Sequence, residues 1–120
     1  MYGSADIATL FDLAGVHQLT NGGQLVIRAE YRDTTPQRPH GLSYAFILQD
    51  ATGKRLLAFD NAHAYDGAGP NEPFDHEHPA GRVNTRIRYH FTTASALITD
   101  GFARCEAYCA AHDIPFEFVE

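Results

Sequence analysis

One hundred and twenty residues with 44% hydrophobic content and a formal charge of −6 describe an acidic globular chain, enough for one apolar core and one domain spanning 1–120. No apolar run approaches the roughly 20 residues of a membrane span, and the start MYGSADIATL carries Asp6 and no basic residue, unlike a signal peptide. A cytoplasmic location is therefore expected.

The first element expected is a short helix with Ser4 as its cap, because Ile7, Leu10, Phe11 and Ala14 follow the i, i+3, i+4, i+7 rule and Gly15 stops it. A short strand over 16–20 and the turn Asn21-Gly22-Gly23 follow. Residues 24–33 alternate, with Leu25, Ile27, Ala29 and Tyr31 expected toward the core and Val26, Arg28, Glu30 and Arg32 outward. After the proline-containing loop 34–41, residues 41–50 form the next strand, with Leu42, Tyr44, Phe46 and Leu48 on one face. The turn 50–54 leads to a strand over 55–61. Residues 63–81 read as one long connection, and 82–91 as the last long strand, with Arg82, Asn84, Arg86, Arg88 and His90 sharing one face. Thr92 or Thr93 then caps a helix reaching about His112, with Leu97, Ile98, Phe102, Cys105 and Cys109 as its apolar stripe. The tail IPFEFVE is expected as an edge strand or a docked segment. Short connections favour an antiparallel meander of four to five strands, with the short N-terminal helix and the long C-terminal helix packed on one face: an α+β fold with one open polar face.

The net charge hides an asymmetry. Residues 1–23 carry −2 and residues 92–120 carry −4, while residues 24–91 hold eight basic and eight acidic side chains. The middle of the chain is thus free to present a cationic face. Arg86, Arg88 and His90 on one expected strand, with Arg28 and Arg32 on another, would make such a face, and guanidinium forks suit phosphate. Solvated strand faces are also routinely charged, so an ordinary surface explains the same pattern.

Asp75-His76-Glu77-His78 lies in the long connection. Residues i and i+2 of an extended segment point the same way, so His76 and His78 can reach one centre. Three readings remain open: an exposed pair without a role, a coupled acid and base, or a metal site completed by Asp60, His63 or Asp75. Under the second no cofactor is needed; under the third zinc or another divalent ion is. Cys105 and Cys109, one helical turn apart, are expected as reduced core thiols rather than ligands with His112. Tyr65 and Phe74 are the candidates for stacking on a base.

The run LLAFDNAHAYDGAGPNEPFDHEHPAGRVNTRIRYHF has the order strand, Asp60-Asn61, glycine-rich loop, His76-x-His78, a strand ending in Tyr89-x-Phe91, then a helix. In this it resembles the TumE-type toxins of bacterial toxin–antitoxin pairs, over roughly residues 24–110. Its loop before His76 is longer and proline-containing, and the chain lacks the basic character common among toxins that act on RNA. The resemblance implies a cognate antitoxin, of the helix-turn-helix DNA-binding kind, and matches Asp60, Asn61, His76 and His78 to the family pattern. The reading adopted is a toxin that cleaves RNA without metal. His76 and His78 serve as acid and base, with Asp60 beside them and Arg86 and Arg88 on the phosphate. Arg28, Arg32, Asn61 and His90 touch the nucleic acid, and a homodimer is a further option. The alternatives are a metal-dependent hydrolase using Asp60, His63, His76 and His78, and a non-catalytic partner-binding domain.

Overall fold

The structure is a computed structural model that describes residues 4–120, with side chains from Asp6 onward. The cap expected of the Ser4 side chain lies outside the described side chains. The element order is α1 (Ser4–Leu13), β1 (Gly15–Gln18), β2 (Gln24–Tyr31), β3 (Leu42–Gln49), β4 (Arg55–Asp60), β5 (His76–His78), β6 (Ile87–Arg88) and α2 (Ala94–Ala111). The strands form one antiparallel sheet in the order β1-β2-β3-β4-β5-β6, with each strand beside its sequence neighbours. The fold is α+β, with six strands among the described residues where four to five were expected.

Strict alternation builds the core. In β3, Leu42, Tyr44, Phe46 and Leu48 are buried and the residues between them are half-buried. They join Leu25 and Ile27 of β2, Leu57 and Phe59 of β4, Leu10 of α1, and Leu97 and Cys105 of α2 in a single cluster. Both helices lie on this face, and the other face of the sheet is left open. α1 is tied to α2 through Asp6, whose carboxylate accepts the Ala94 N–H at 2.7 Å and the Ser95 N–H at 2.9 Å. Thr93 completes the cap by accepting the Ala96 N–H. Cys105 and Cys109 are free and buried, and burial pushes the Cys105 thiol up to about 12, so neither behaves as a reactive thiol. His112 stacks on Tyr108 at the end of α2, and its ring bonds to the Tyr108 carbonyl.

Several expectations are corrected. The connection 63–81 contains a strand, β5, which pairs with β4 on one side and β6 on the other. The long strand expected over 82–91 is reduced to Ile87–Arg88. Arg82 N–H donates to the Pro79 carbonyl and Thr85 N–H to the Arg82 carbonyl, so 79–85 is spent on turns entered through Gly81 at φ +79°. The row Arg82, Asn84, Arg86, Arg88, His90 therefore never forms. Tyr31 is exposed rather than in the core: its ring stacks on Phe11 of α1 at 4.7 Å. Val26, expected outward, is buried on the open face, where it pairs with Ile47. The tail docks: Phe118 bridges to Leu19, and Val119 N–H donates to the Gln18 carbonyl beside β1.

Gly101 of α2 lies close against the sheet. A Cβ there would lie 2.6–2.9 Å from three ring carbons of Phe46, which is itself wedged edge-on against Phe59 and Phe102. Gly101→Ala is expected to destabilise the protein by about 1–3 kcal/mol, since overpacking outweighs the roughly 1 kcal/mol that alanine gains in a helix. Chemical denaturation checks this; a more stable variant would show that the helix can retreat from the sheet.

Candidate active site

Register places the charged residues on the open face in rows. Arg28 of β2 is opposite Ala45 of β3, Ala45 opposite Asp60 of β4, Asp60 opposite His76 of β5, and His76 opposite Arg88 of β6. The neighbouring row runs Val26, Ile47, Ala58, His78. Paired residues share a face, with neighbouring strands about 4.8 Å apart. Asp60 therefore meets His76 directly and His78 on the diagonal, while the small Ala45 and Ala58 leave room above the sheet.

The result is a compact cluster. His76 Nε2 is 3.0 Å from Asp60 Oδ1, His78 Nε2 is 3.2 Å from Asp60 Oδ2, and the two Nε2 atoms are 3.0 Å apart. Both imidazoles are buried. Each is oriented from behind by a backbone carbonyl: His76 Nδ1 lies 2.7 Å from the Phe74 oxygen and His78 Nδ1 2.7 Å from the Val83 oxygen, so both Nδ1 atoms carry hydrogen and donate it. The turn at 82–85, where a strand was expected, thus supplies the carbonyl that sets His78. Asp60 is oriented by the Ala62 N–H, which donates to Oδ1 at 3.0 Å.

The charges follow from these contacts. Burial would raise the Asp60 carboxyl, but the hydrogen bonds from His76 and Ala62 and the two imidazoles together hold it down to about 2. His76 is likewise disfavoured as a cation by burial, and its bonds to Asp60 and Phe74 outweigh this and raise it. His78 is lowered, by burial and by the charges of Arg55 and His76.

The cluster floors a pocket of about 450 Å³ whose walls include Arg28, Arg32, Arg55, Arg86, His63, Ser43 and Asn84. Of the residues expected at the site, Asp60, His76, His78, Arg86, Arg28 and Arg32 thus meet at one pocket. Arg86 donates to the Ala64 carbonyl and Arg32 pairs with Glu30. His63 is exposed on the wall and outside the three-residue cluster.

Others lie elsewhere. Arg88 turns away to Tyr65, with its guanidinium carbon 5.6 Å from the ring centroid, and to Glu72. Together with His90 it lines a separate small cleft over Asp75. Asn61 is fully buried: its side-chain carbonyl accepts the Tyr44 N–H and its amide donates to the Leu42 carbonyl, so it ends the β3–β4 pairing rather than facing solvent. Tyr65 donates to Glu72, and Phe74 lies under the Arg38 guanidinium, so both rings are engaged within the protein. Asp75 is buried with Tyr44, whose hydroxyl donates to it at 2.7 Å, and with His40.

Arg55 is the pocket residue that alternation hides. Counting by twos along β4 puts it with Leu57 and Phe59 on the core face. The register shift at Leu48/Gln49, where Leu48 pairs with Leu57 but Gln49 pairs with Arg55, inserts Leu56 as an extra residue and turns Arg55 to the open face. Its guanidinium donates to the Val83 carbonyl, the same oxygen that orients His78.

A model of the family described as Toxin TumE matches residues 8–108. The chain belongs to the TumE toxin family. It is thus the toxin of a toxin–antitoxin system, and a cognate antitoxin is its partner. Comparisons with curated proteins and with solved structures gave no match. No helix among the described residues of this TumE-family toxin is long and apolar enough to cross a membrane.

The Asp60–His76 pair sets a pH window for stability. The Asp60 carboxyl is lowered from its ordinary 3.8 to about 2, so its contribution is present above pH 3.8 and lost as pH falls through about 2. His76 is raised above its ordinary 6.5, so its contribution is full below 6.5 and lost as pH rises through the raised value. In chelator-treated protein, Asp60→Asn is expected to cost about 1–2 kcal/mol near pH 5.5, discounted for partial solvent screening, and to flatten the acid limb of the stability profile. Urea denaturation across pH measures this; a variant with an unaltered acid limb would show that the pair is electrostatically idle.

Proposed function

We propose that this toxin acts on RNA, cleaving phosphodiester bonds at the open sheet face with Asp60, His76 and His78 as the reacting centre. The observation that carries the reading is the pairing of chemistry and charge in one pocket: a buried, oriented carboxylate–imidazole cluster beneath a rim holding Arg28, Arg55 and Arg86. Guanidinium groups at the rim suit the anionic oxygens of a phosphodiester and stabilise charge gathering on them during reaction. The chain as a whole carries −6, yet its excess acid belongs to residues 1–23 and 92–120 and not to the strands that line the pocket.

The reaction needs no outside reagent. The ribose 2′-oxygen forms a bond to the adjacent phosphorus, its proton is taken up at the cluster, and the bond to the 5′-oxygen breaks, with that oxygen gaining a proton from solvent. The products are a 2′,3′-cyclic phosphate and a 5′-hydroxyl. His76 and His78 do not divide the roles of acid and base between them. An acid and a base on opposite sides of an in-line displacement each need hydrogen-bond reach of a different oxygen, one entering and one leaving, whereas the two Nε2 atoms point at each other 3.0 Å apart. The cluster therefore works as one unit on the attacking side. Arg86 rather than Arg88 is the nearby cation, and Arg55 joins it. The antitoxin, taken as a helix-turn-helix protein, would restrain the activity until it is lost.

The purified protein is expected to cut single-stranded RNA to products ending in a cyclic phosphate, and to leave an all-deoxy strand intact. Asp60→Asn and His78→Ala should each lower the cleavage rate by about 10²- to 10⁴-fold. Arg28→Ala and Arg86→Ala should mainly weaken RNA binding and reduce its salt dependence. Growth arrest on induction should disappear in the His76→Ala, His78→Ala double variant. Persistence of arrest in a folded double variant, or intact RNA after incubation with wild type, would refute the proposal.

A further inference from the structure

With both imidazoles neutral, the three groups at the centre of the site are all acceptors aimed at one point. Both Nδ1–H groups are committed to the Phe74 and Val83 carbonyls, so each neutral ring presents a lone pair at Nε2. The third group is a carboxylate. Two lone pairs and an anion held 3.0–3.2 Å apart repel one another unless positive charge lies among them. A single proton resolves one contact only. With hydrogen on His76 Nε2, His78 Nε2 still directs a lone pair at Asp60 Oδ2, 3.2 Å away.

A divalent ion resolves all of them together. Ligand atoms bound at about 2.05 Å are separated by about 2.9 Å around an octahedral centre and about 3.3 Å around a tetrahedral one. The observed 3.0, 3.0 and 3.2 Å fall between these values. The surroundings agree. Metal-bound imidazoles donate their second ring N–H to a carbonyl or carboxylate, as both do here, and a ligating carboxylate is itself hydrogen-bonded, as Asp60 is by Ala62 N–H. Four guanidinium groups, of Arg28, Arg32, Arg55 and Arg86, line the same pocket and would oppose a cation. However, Arg55 is held by the Val83 carbonyl, Arg86 by the Ala64 carbonyl and Arg32 by Glu30, and the ion pairs of Asp60 among the described residues are with the two imidazoles.

We propose that Asp60, His76 and His78 form a three-ligand site for one divalent first-row transition ion of the zinc class, with its remaining positions open to the pocket. Two imidazoles and one carboxylate suit such ions better than magnesium or calcium, which prefer all-oxygen sites. His63, exposed on the pocket wall, is not a ligand. The inference deepens the reading of this pocket as the reacting centre, since an ion with open positions there would polarise a phosphoryl oxygen, but its binding test stands apart from RNA chemistry.

The test uses tag-free, full-length protein stripped with chelator. Calorimetric titration with Zn²⁺, and the visible absorption of added Co²⁺, should show one ion per chain. Asp60→Asn and His78→Ala should each weaken Zn²⁺ affinity by about 100-fold or more, and His112→Ala should leave it unchanged. Circular dichroism establishes that each variant is folded. If wild type binds neither ion, or if folded Asp60→Asn and His78→Ala bind Zn²⁺ as wild type does, the site is refuted. RNA cleavage by stripped protein that binds no ion would overturn this inference and leave the proposed function standing. Stoichiometric binding without cleavage would do the reverse.

Discussion

The antiparallel pairing of β4 with β5 is the constraint on which the site depends. It sets Asp60 directly against His76 and Ala58 against His78, so a carboxylate and two imidazoles share one face of the sheet within hydrogen-bond distance. A slip of one residue would turn the histidines to the helix side and bring Glu77 to the open face. Glu77 helps to prevent this: it faces the helices and pairs with Arg104 of α2 at 2.9 Å. The alternation His-Glu-His therefore does two things at once, anchoring a three-residue strand to α2 through its central residue and aiming its outer residues at Asp60.

Such a short strand needs support from both sides. β6 supplies part of it, and the segment between β4 and β5 supplies more through bonds to its neighbours. Asp66 exchanges contacts with the Arg86 backbone, Phe74 N–H donates to the Gln37 carbonyl, and Arg38 donates to the Ala62 carbonyl. Buried Asp75, held by Tyr44 and His40 on the core side, fixes the entry to β5. These interactions turn a long, glycine- and proline-containing connection into a scaffold for the two imidazoles. The carbonyls of Phe74 and Val83, which orient the rings, lie in irregular backbone on either side of β5, where a carbonyl is free of sheet pairing and can accept from a side chain.

Electrostatics and architecture divide the molecule in the same way. The helices cover the apolar face, and the guanidinium groups of Arg28, Arg55 and Arg86 collect around the pocket on the other. That separation gives an acidic protein a local surface suited to an anionic polymer, as the proposed action on RNA requires.

Much of this was legible in the sequence because it depends on local periodicity. The alternation in 24–31 and 42–49, the 3.6-residue pattern of the last helix and the turn signals at 21–23 and 50–54 determine strand faces, helix cover and meander order. The Asp60-Asn61 and His76-x-His78 motifs marked the family and three residues of the cluster. The tertiary structure alone decided which residues meet. β5 is too short to show a period, and it exists because β4 and β6 flank it. Arg55 reaches the pocket because a bulge breaks the count by twos, while Arg88 leaves it for Tyr65 and Glu72. Asn61, polar and beside the motif, is buried because two backbone groups at the end of β3 need partners. Periodicity is a property of neighbours along the chain; register, bulges and the pairing of buried polar groups are settled between segments distant in sequence, and the cluster is made of those.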